Sequence, residues 1–260
     1  MGNEICNLCK VKNADKENSH IIPKFMSKRL FEGAKPRFTV LITKEGKRKK
    51  LQDTPKESNI LCKDCEKRIE IVETYFSRVL IDLNSLQNAK RKYTIDFFEN
   101  QEIIVCNDLH PTLYKIFIFS LVWRCSISSL LEFETFQLED YVEEELRVFL
   151  NKNLLKRHDE LLASLDNITE IPQYHTCLIK PKNNTRGLFT SYNFGQNAYA
   201  IYTVDYAIFF YTNDEILVQK HLSFSNINNG LVRVVIGDDK EWSELNNQVL
   251  QNMLNYKSLS

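Results

Sequence analysis

The sequence predicts an α+β protein: a small cysteine-pinned N-terminal module, then a larger domain of mixed helices and antiparallel sheet. Three observations carry that prediction. Cys6-x-x-Cys9 and Cys62-x-x-Cys65 bring two close pairs of thiols to the first quarter of the chain. Apolar residues then recur at helical spacing between Asp64 and Leu83, and again between Pro111 and Leu165. Beyond Ile171 the pattern changes to short runs rich in Tyr, Phe, Val and Ile, as strands require.

The bulk properties agree with a folded chain. Of 260 residues, 43% are apolar and 26% charged, enough to bury a core, and 7 Gly and 6 Pro exclude a low-complexity or collagen-like chain. Formal charge is zero, from 34 basic and 34 acidic side chains, but it is unevenly spread. Residues 1–92 carry 21 Lys and Arg against 12 Asp and Glu, whereas residues 93–260 carry 13 against 22. A basic head on an acidic body points to a polyanion near the N-terminus. The start of the chain is polar, without the apolar region of a secretory signal. The longest apolar run, Ile116 to Trp123, stops at Arg124, short of the roughly 20 residues of a membrane span. The expectation is a soluble, cytoplasmic protein with no membrane partner.

In order, a polar opening holds the first cysteine pair, and Ser19-His20-Ile21-Ile22-Pro23 reads as a short extended segment. Its proline suits the first turn of a helix from Lys24 to Phe31. Arg37 to Thr43 alternates weakly, Lys44-Glu45-Gly46-Lys47 reads as a hairpin turn, and Lys47-Arg48-Lys49-Lys50 returns. Thr54 to Ser58 reads as loop. Ile69, Val72, Phe76, Leu80 and Leu83 give the next helix its apolar stripe. Lys90-Arg91-Lys92 reads as a linker, which sets the domains at 1–88 and 93–260.

In the second domain, Tyr93–Phe98 and Ile103–Asn107 read as a strand pair. Helices follow at Pro111–Leu131, Leu138–Leu150 and Leu154–Leu165, the second with Glu143-Glu144-Glu145 on its wet side. Strands are expected at Tyr174–Ile179, Tyr199–Thr203, Tyr206–Tyr211, Glu215–His221 and Leu231–Ile236, and a last helix at Trp242–Tyr256. Tyr199, Tyr202, Tyr206, Phe209, Phe210 and Tyr211 read as core and sheet face rather than as a ligand box.

The seven cysteines divide sharply. Cys106, Cys125 and Cys177 lie singly among apolar residues, whereas Cys6, Cys9, Cys62 and Cys65 form two tight pairs. Two Cys-x-x-Cys turns offer four thiolates to one ion, which suits a structural, tetrahedral zinc. A closed four-sulfur site leaves that ion no open position, so any chemistry must come from elsewhere.

Cys6-x-x-Cys9, Ser19-His20-Ile21-Ile22-Pro23 and Leu61-Cys62-x-x-Cys65 opening a helix together resemble the zinc-containing HNH endonucleases, over about residues 4–75. The resemblance implies a treble-clef, ββα-metal-like fold pinned by the cysteines. It implies that His20 acts as general base on a water attacking a phosphodiester, beside one Mg²⁺ or Mn²⁺. A neutral imidazole near pH 7 is able to take that proton. The family places Asp before this histidine, where Ser19 stands, and His after the second cysteine pair, where Glu66 stands. Glu66 is then the candidate ligand of the divalent ion, and Asn59 the candidate for the family's middle asparagine, although it lies close to Cys62. Lys24, Lys28, Arg29, Lys35, Arg37 and Lys47, Arg48, Lys49, Lys50 are candidate contacts to nucleic acid, DNA or alternatively RNA.

The function implied is DNA cleavage, with residues 93–260 restraining or recruiting the head through a ligand, a second copy or a regulatory protein. Stand-alone proteins with such a head and an unfamiliar tail resemble bacterial or phage-related defence factors. The alternative is a non-catalytic zinc module that binds nucleic acid or a protein partner. A redox sensor built on the thiols is a third class. His158-Asp159 has the residue types of a phosphohydrolase metal dyad but lacks further ligands at helical spacing, and reads as a surface pair.

Overall fold

Tyr, Phe and Ile runs after residue 92 make one seven-stranded sheet, and the N-terminal segment makes two small two-stranded ladders. The computed structural model describes residues 4–27, 31, 39–42, 48–51, 53–84, 92–98, 101–183, 189–213, 221, 224–227, 230–240, 242–244, 246–247 and 251. The protein is α+β, as expected.

In the N-terminal part, β1 (Ser19–His20) pairs antiparallel with β4 (Lys56–Glu57), and β2 (Thr39–Ile42) pairs with β3 (Arg48–Leu51) as a hairpin. The expected loop at Thr54–Ser58 therefore holds a strand. Two residues are too few for a visible alternation, and only their partner across the ladder defines them. Between these ladders α1 (Lys24–Ser27) starts behind Pro23, whose carbonyl accepts from the Met26 amide at 3.0 Å. Residues 28–30 and the rest of the expected helix, except Phe31, lie outside the described residues. The 22-residue helix α2 (Lys63–Asn84) buries the stripe read from sequence: Ile69, Val72, Phe76, Leu80 and Leu83.

The sheet runs β5 (Tyr93–Phe98), β6 (Gln101–Cys106), β11 (Val232–Gly237), β7 (His175–Pro181), β10 (Ala207–Tyr211), β9 (Ala198–Tyr202), β8 (Thr190–Gly195). Every neighbouring pair is antiparallel except β11 and β7. Strands β9 and β10 are buried on both faces, so Ala198-Tyr-Ala-Ile-Tyr202 and Ala207-Ile-Phe-Phe-Tyr211 read as unbroken apolar runs. Alternation then divides them: Tyr199, Ile201, Ile208 and Phe210 face the main core, and Ala200, Tyr202, Phe209 and Tyr211 face a second one with Trp242. Strand β8 has no counterpart among the expected strands; its polar stretch Thr190-Ser-Tyr-Asn-Phe-Gly195 and the irregularity between Asn193 and Gly195 hide it. The expected strand Glu215–His221, apart from His221, and much of the last helix lie outside the described residues.

At the centre lies α3 (Pro111–Ile127), buried from Thr112 to Ser126. A helix apolar all round belongs inside. His110 caps it, its Nδ1 accepting from the Thr112 amide, and Pro111 occupies the first turn. The helix ends four residues before the expected Leu131, because Ser128 turns extended and donates to Glu57 on β4 at 2.6 Å. Phe76 of α2 stacks on Phe117 of α3 at 4.0 Å, and Phe119 meets Phe149 of α4 (Asp140–Asn153) edge-on. The third helix, α5 (His158–Ser164), begins later than Leu154. Leu154 instead closes α4 while its carbonyl accepts from Arg68 at 2.7 Å. One core cluster thus runs from Cys6, Ile21 and Leu61 through α2 and α3 to the sheet. Among the described residues no helix is long and apolar enough to cross a membrane.

Candidate metal centre and the histidine beside it

Each cysteine pair sits in a turn closed by backbone hydrogen bonds. The Lys10 amide returns to the Cys6 carbonyl at 2.9 Å, with Lys10 in the left-handed region (φ 54°), and the Cys6 amide donates to Lys12. The second pair occupies the start of α2, where the Asp15 carboxylate accepts from the Lys63 amide at 2.9 Å. That amide bond is the first cause holding the Asp15 carboxyl below its ordinary value. It is a helix cap supplied from 48 residues upstream. Asn7 to Ile60, Lys16 to Leu61 and Asn59 to Lys16 backbone bonds then lace the two turns together.

The result is a four-sulfur cluster. The Sγ atoms of Cys6, Cys9, Cys62 and Cys65 all lie within 4.8 Å of one another, with three of the residues buried and Cys9 half-buried. Four thiolates about 2.3 Å from a tetrahedral ion stand roughly 3.8 Å apart, so the set is able to hold a metal such as zinc. The thiols also hydrogen-bond one another. The hydrogen bond from Cys65 draws the Cys6 thiol down to about 4, and the same bond pushes Cys65 up. Arg68 Nη1 approaches Cys65 Sγ at 3.8 Å and also donates to Asn151 Oδ1, while Nε and Nη2 hold the Leu154 and Asn151 carbonyls. With Arg147 donating to the Leu8 carbonyl at 2.8 Å, this ties the sulfur cluster to α4. Cys106, Cys125 and Cys177 are buried, and burial pushes Cys106 up to about 12 and Cys125 up as well, so Cys106 and Cys125 are poor nucleophiles.

A second constellation stands on β1. Ser19 is fully buried, and its hydroxyl donates to Glu66 Oε2 at 3.0 Å. His20 follows, half-buried, and its side chain leaves the strand on the opposite side. His20 Nδ1 meets Thr54 Oγ1 at 2.6 Å, and His20's carbonyl accepts from Arg124 Nη1 at 2.7 Å. Arg124, 2% exposed, also pairs with Glu73 Oε1 at 2.6 Å. Burial first, then the positive charges of Lys56, Lys24 and Arg124, push the imidazole below its ordinary value, against the opposing pull of Asp53. The ring is therefore neutral at pH 7. Comparison of the chain with family models, curated proteins and solved structures gave no significant match.

The other expected site residues divide. Cys6, Cys9, Cys62 and Cys65 come together, and Glu66 meets Ser19 rather than the His20 ring. Asn59 is exposed at a left-handed turn (φ 64°) that joins the two cysteine segments. Lys24 is exposed on α1, and Arg48, Lys49 and Lys50 lie on β3. Lys28, Arg29, Lys35, Arg37 and Lys47 lie outside the described residues. His158 and Asp159 open α5, where Asp159 pairs with Arg157 at the surface. Sequence reading missed Thr54, Lys56 and Arg124. Only Arg124 left a signal, as the charge that interrupts an apolar helix and so demands a partner.

Proposed function

We propose that the protein is an HNH-like, metal-dependent endonuclease that hydrolyses DNA phosphodiester bonds, with a treble-clef head held by zinc at the four cysteines. The His20 imidazole carries this reading. It is neutral at pH 7, anchored at Nδ1 by Thr54, and one residue from the contact between Ser19 and Glu66. Those last two positions are the ones to which the resemblance gives the divalent metal, and they touch. A carboxylate and a hydroxyl are hard oxygen donors of the kind Mg²⁺ and Mn²⁺ take, so Glu66 with Ser19 would hold the ion. When bound, that ion would supply charge stabilisation at the phosphate.

The chain's own residues do the rest. In the tautomer whose Nδ1–H donates to Thr54, the one a general base at Nε2 requires, Nε2 carries the lone pair, and no described residue hydrogen-bonds it. Nε2 takes a proton from the attacking water, and the ring is kept from swinging by Thr54 and by Arg124 on its backbone carbonyl. Lys24 and the basic strand β3 would meet backbone phosphates.

A non-catalytic binding module is the second reading, and the place of Asn59 favours it: this residue builds the turn between the cysteine segments rather than orienting His20. A plasmid-nicking assay with Mg²⁺ or Mn²⁺ separates them. His20→Ala is expected to lower the rate by about 10²–10⁴-fold, the usual contribution of a general base. Equal cleavage by both proteins, or none by either, removes the catalytic reading.

A further inference from the structure

We infer that Lys56, set beside the His20 ring that Thr54 anchors, forms a binding site for a phosphate oxyanion, with the Lys56 ammonium as the cation that meets the phosphate. This rests on the nuclease reading for its purpose, since it names the group that would grip the scissile phosphate, but its geometry stands alone.

The β1–β4 register sets His20 directly opposite Lys56. Residues opposite each other on an antiparallel ladder project on one face with their Cβ atoms about 4.5–5.5 Å apart. Thr54, two residues before Lys56, holds Nδ1 of the same ring at 2.6 Å. Asp53 fastens both neighbours: Oδ1 accepts from the Thr54 amide at 2.9 Å, and Oδ2 pairs with Lys56 Nζ at 2.6 Å. Burial alone would raise the Asp53 carboxyl, yet the hydrogen bond from Lys56 keeps it below its ordinary value. Lys56 is therefore held in place rather than waving in solvent. Its side chain remains 32% exposed. An ammonium has three donors, and the pair with Asp53 uses one.

The charges around the ring favour an anion. Lys56 and Asp53 from β4 and its approach, Lys24 from α1 and Arg124 from α3 all act on His20, three positive against one negative. Arg124 is buried and already engaged with the Ser120 and His20 carbonyls and with Glu73, and Lys24 is exposed on α1. Lys56 is the cation with free donors opposite Nε2's ring. Charge-assisted bonds from an ammonium to a phosphate oxygen are short and strong. In the nuclease reading the same ammonium stabilises the charge that develops on the phosphate as His20 removes the water proton.

The test uses the full, zinc-loaded chain. Inorganic phosphate is titrated at neutral pH while the His20 imidazole signals are followed by NMR. A saturable shift is expected in the wild type, with affinity about tenfold weaker in Lys56→Gln and retained in Lys56→Arg, the size of one charge-assisted hydrogen bond. Zinc content checks that each variant is folded. A ring that does not respond to phosphate, or responds with the same affinity in Lys56→Gln, overturns the site. A short DNA duplex that abolishes the phosphate response assigns the site to backbone phosphates, and a duplex without effect assigns it to free phosphate. Phosphate binding without plasmid nicking sinks the nuclease reading and leaves the site standing. Nicking with Lys56-independent phosphate binding does the reverse.

Discussion

Arg124→Met tests the contact that joins the two parts of the chain. Arg124 sits in the buried helix α3, 2% exposed, pairs with Glu73 at 2.6 Å and donates to the His20 carbonyl across 104 residues. Methionine fills much of the same space without the charge, so the loss is electrostatic rather than a cavity. Removing one partner of a buried pair leaves the other uncompensated, at a cost of about 3–5 kcal/mol. Glu73 is 19% exposed and so finds little water to replace its partner. The loss should depend on pH. Burial already raises the Glu73 carboxyl above its ordinary value even with Arg124 beside it, and losing Arg124 raises it further. A raised carboxyl binds more protons in the native state than in the unfolded one, so stability falls as pH rises above the unfolded value of about 4.3. Urea denaturation of wild type and variant at pH 5 and pH 8 reads both effects, with unchanged m-values as the check that only stability moved. The variant should lose about 3–5 kcal/mol at pH 8 and clearly less at pH 5. Adding Glu73→Gln should restore a large part, because the orphaned charge is gone. A loss under about 1 kcal/mol at both pH values, on the scale of an exposed pair, would refute a buried and coupled ion pair.

Two further predictions concern the site. Metal analysis should find one tightly held zinc per chain, and Cys62→Ser or a strong chelator should remove it and unfold the N-terminal segment, since structural zinc contributes about 10–16 kcal/mol against total stabilities of about 5–15. A folded, metal-free wild type would instead leave the sulfurs as a dithiol pair of the redox class. In the pH dependence of nicking, the acid limb should fall below pH ~6.5, because burial and Lys56 depress the His20 imidazole. The same depression means that the native state binds fewer protons than the unfolded chain, so His20 makes stability rise with pH through that window. A limb above pH ~6.5 would show that the titrating base is not this ring.

Much of the architecture is legible in the sequence because it is periodic. The stripe Ile69 to Leu83 repeats at helical spacing, so its residues alone define α2, and the runs of β9 and β10 announce buried strands by composition. Pro111 behind His110 marks the start of α3 in the same way. The metal set is legible for a chemical reason: two thiol pairs at one-turn spacing have few other uses. Strand β8 escapes because polar and turn-forming residues dilute its alternation, and β4 because two residues carry no period.

Sequence alone therefore determined the elements whose signal lies within a few residues: the cysteine turns, α2 and α3, the apolar strands, and His20 as a candidate base by resemblance. Tertiary structure decided which distant groups meet. It placed β11 between β6 and β7, set Lys56 opposite His20, and brought Thr54, Glu66 and Arg124 to β1 from 34, 47 and 104 residues away. Local propensity encodes the torsions of a segment and the face it must bury, but a hydrogen bond between remote side chains exists only once packing has removed the water that would otherwise satisfy both.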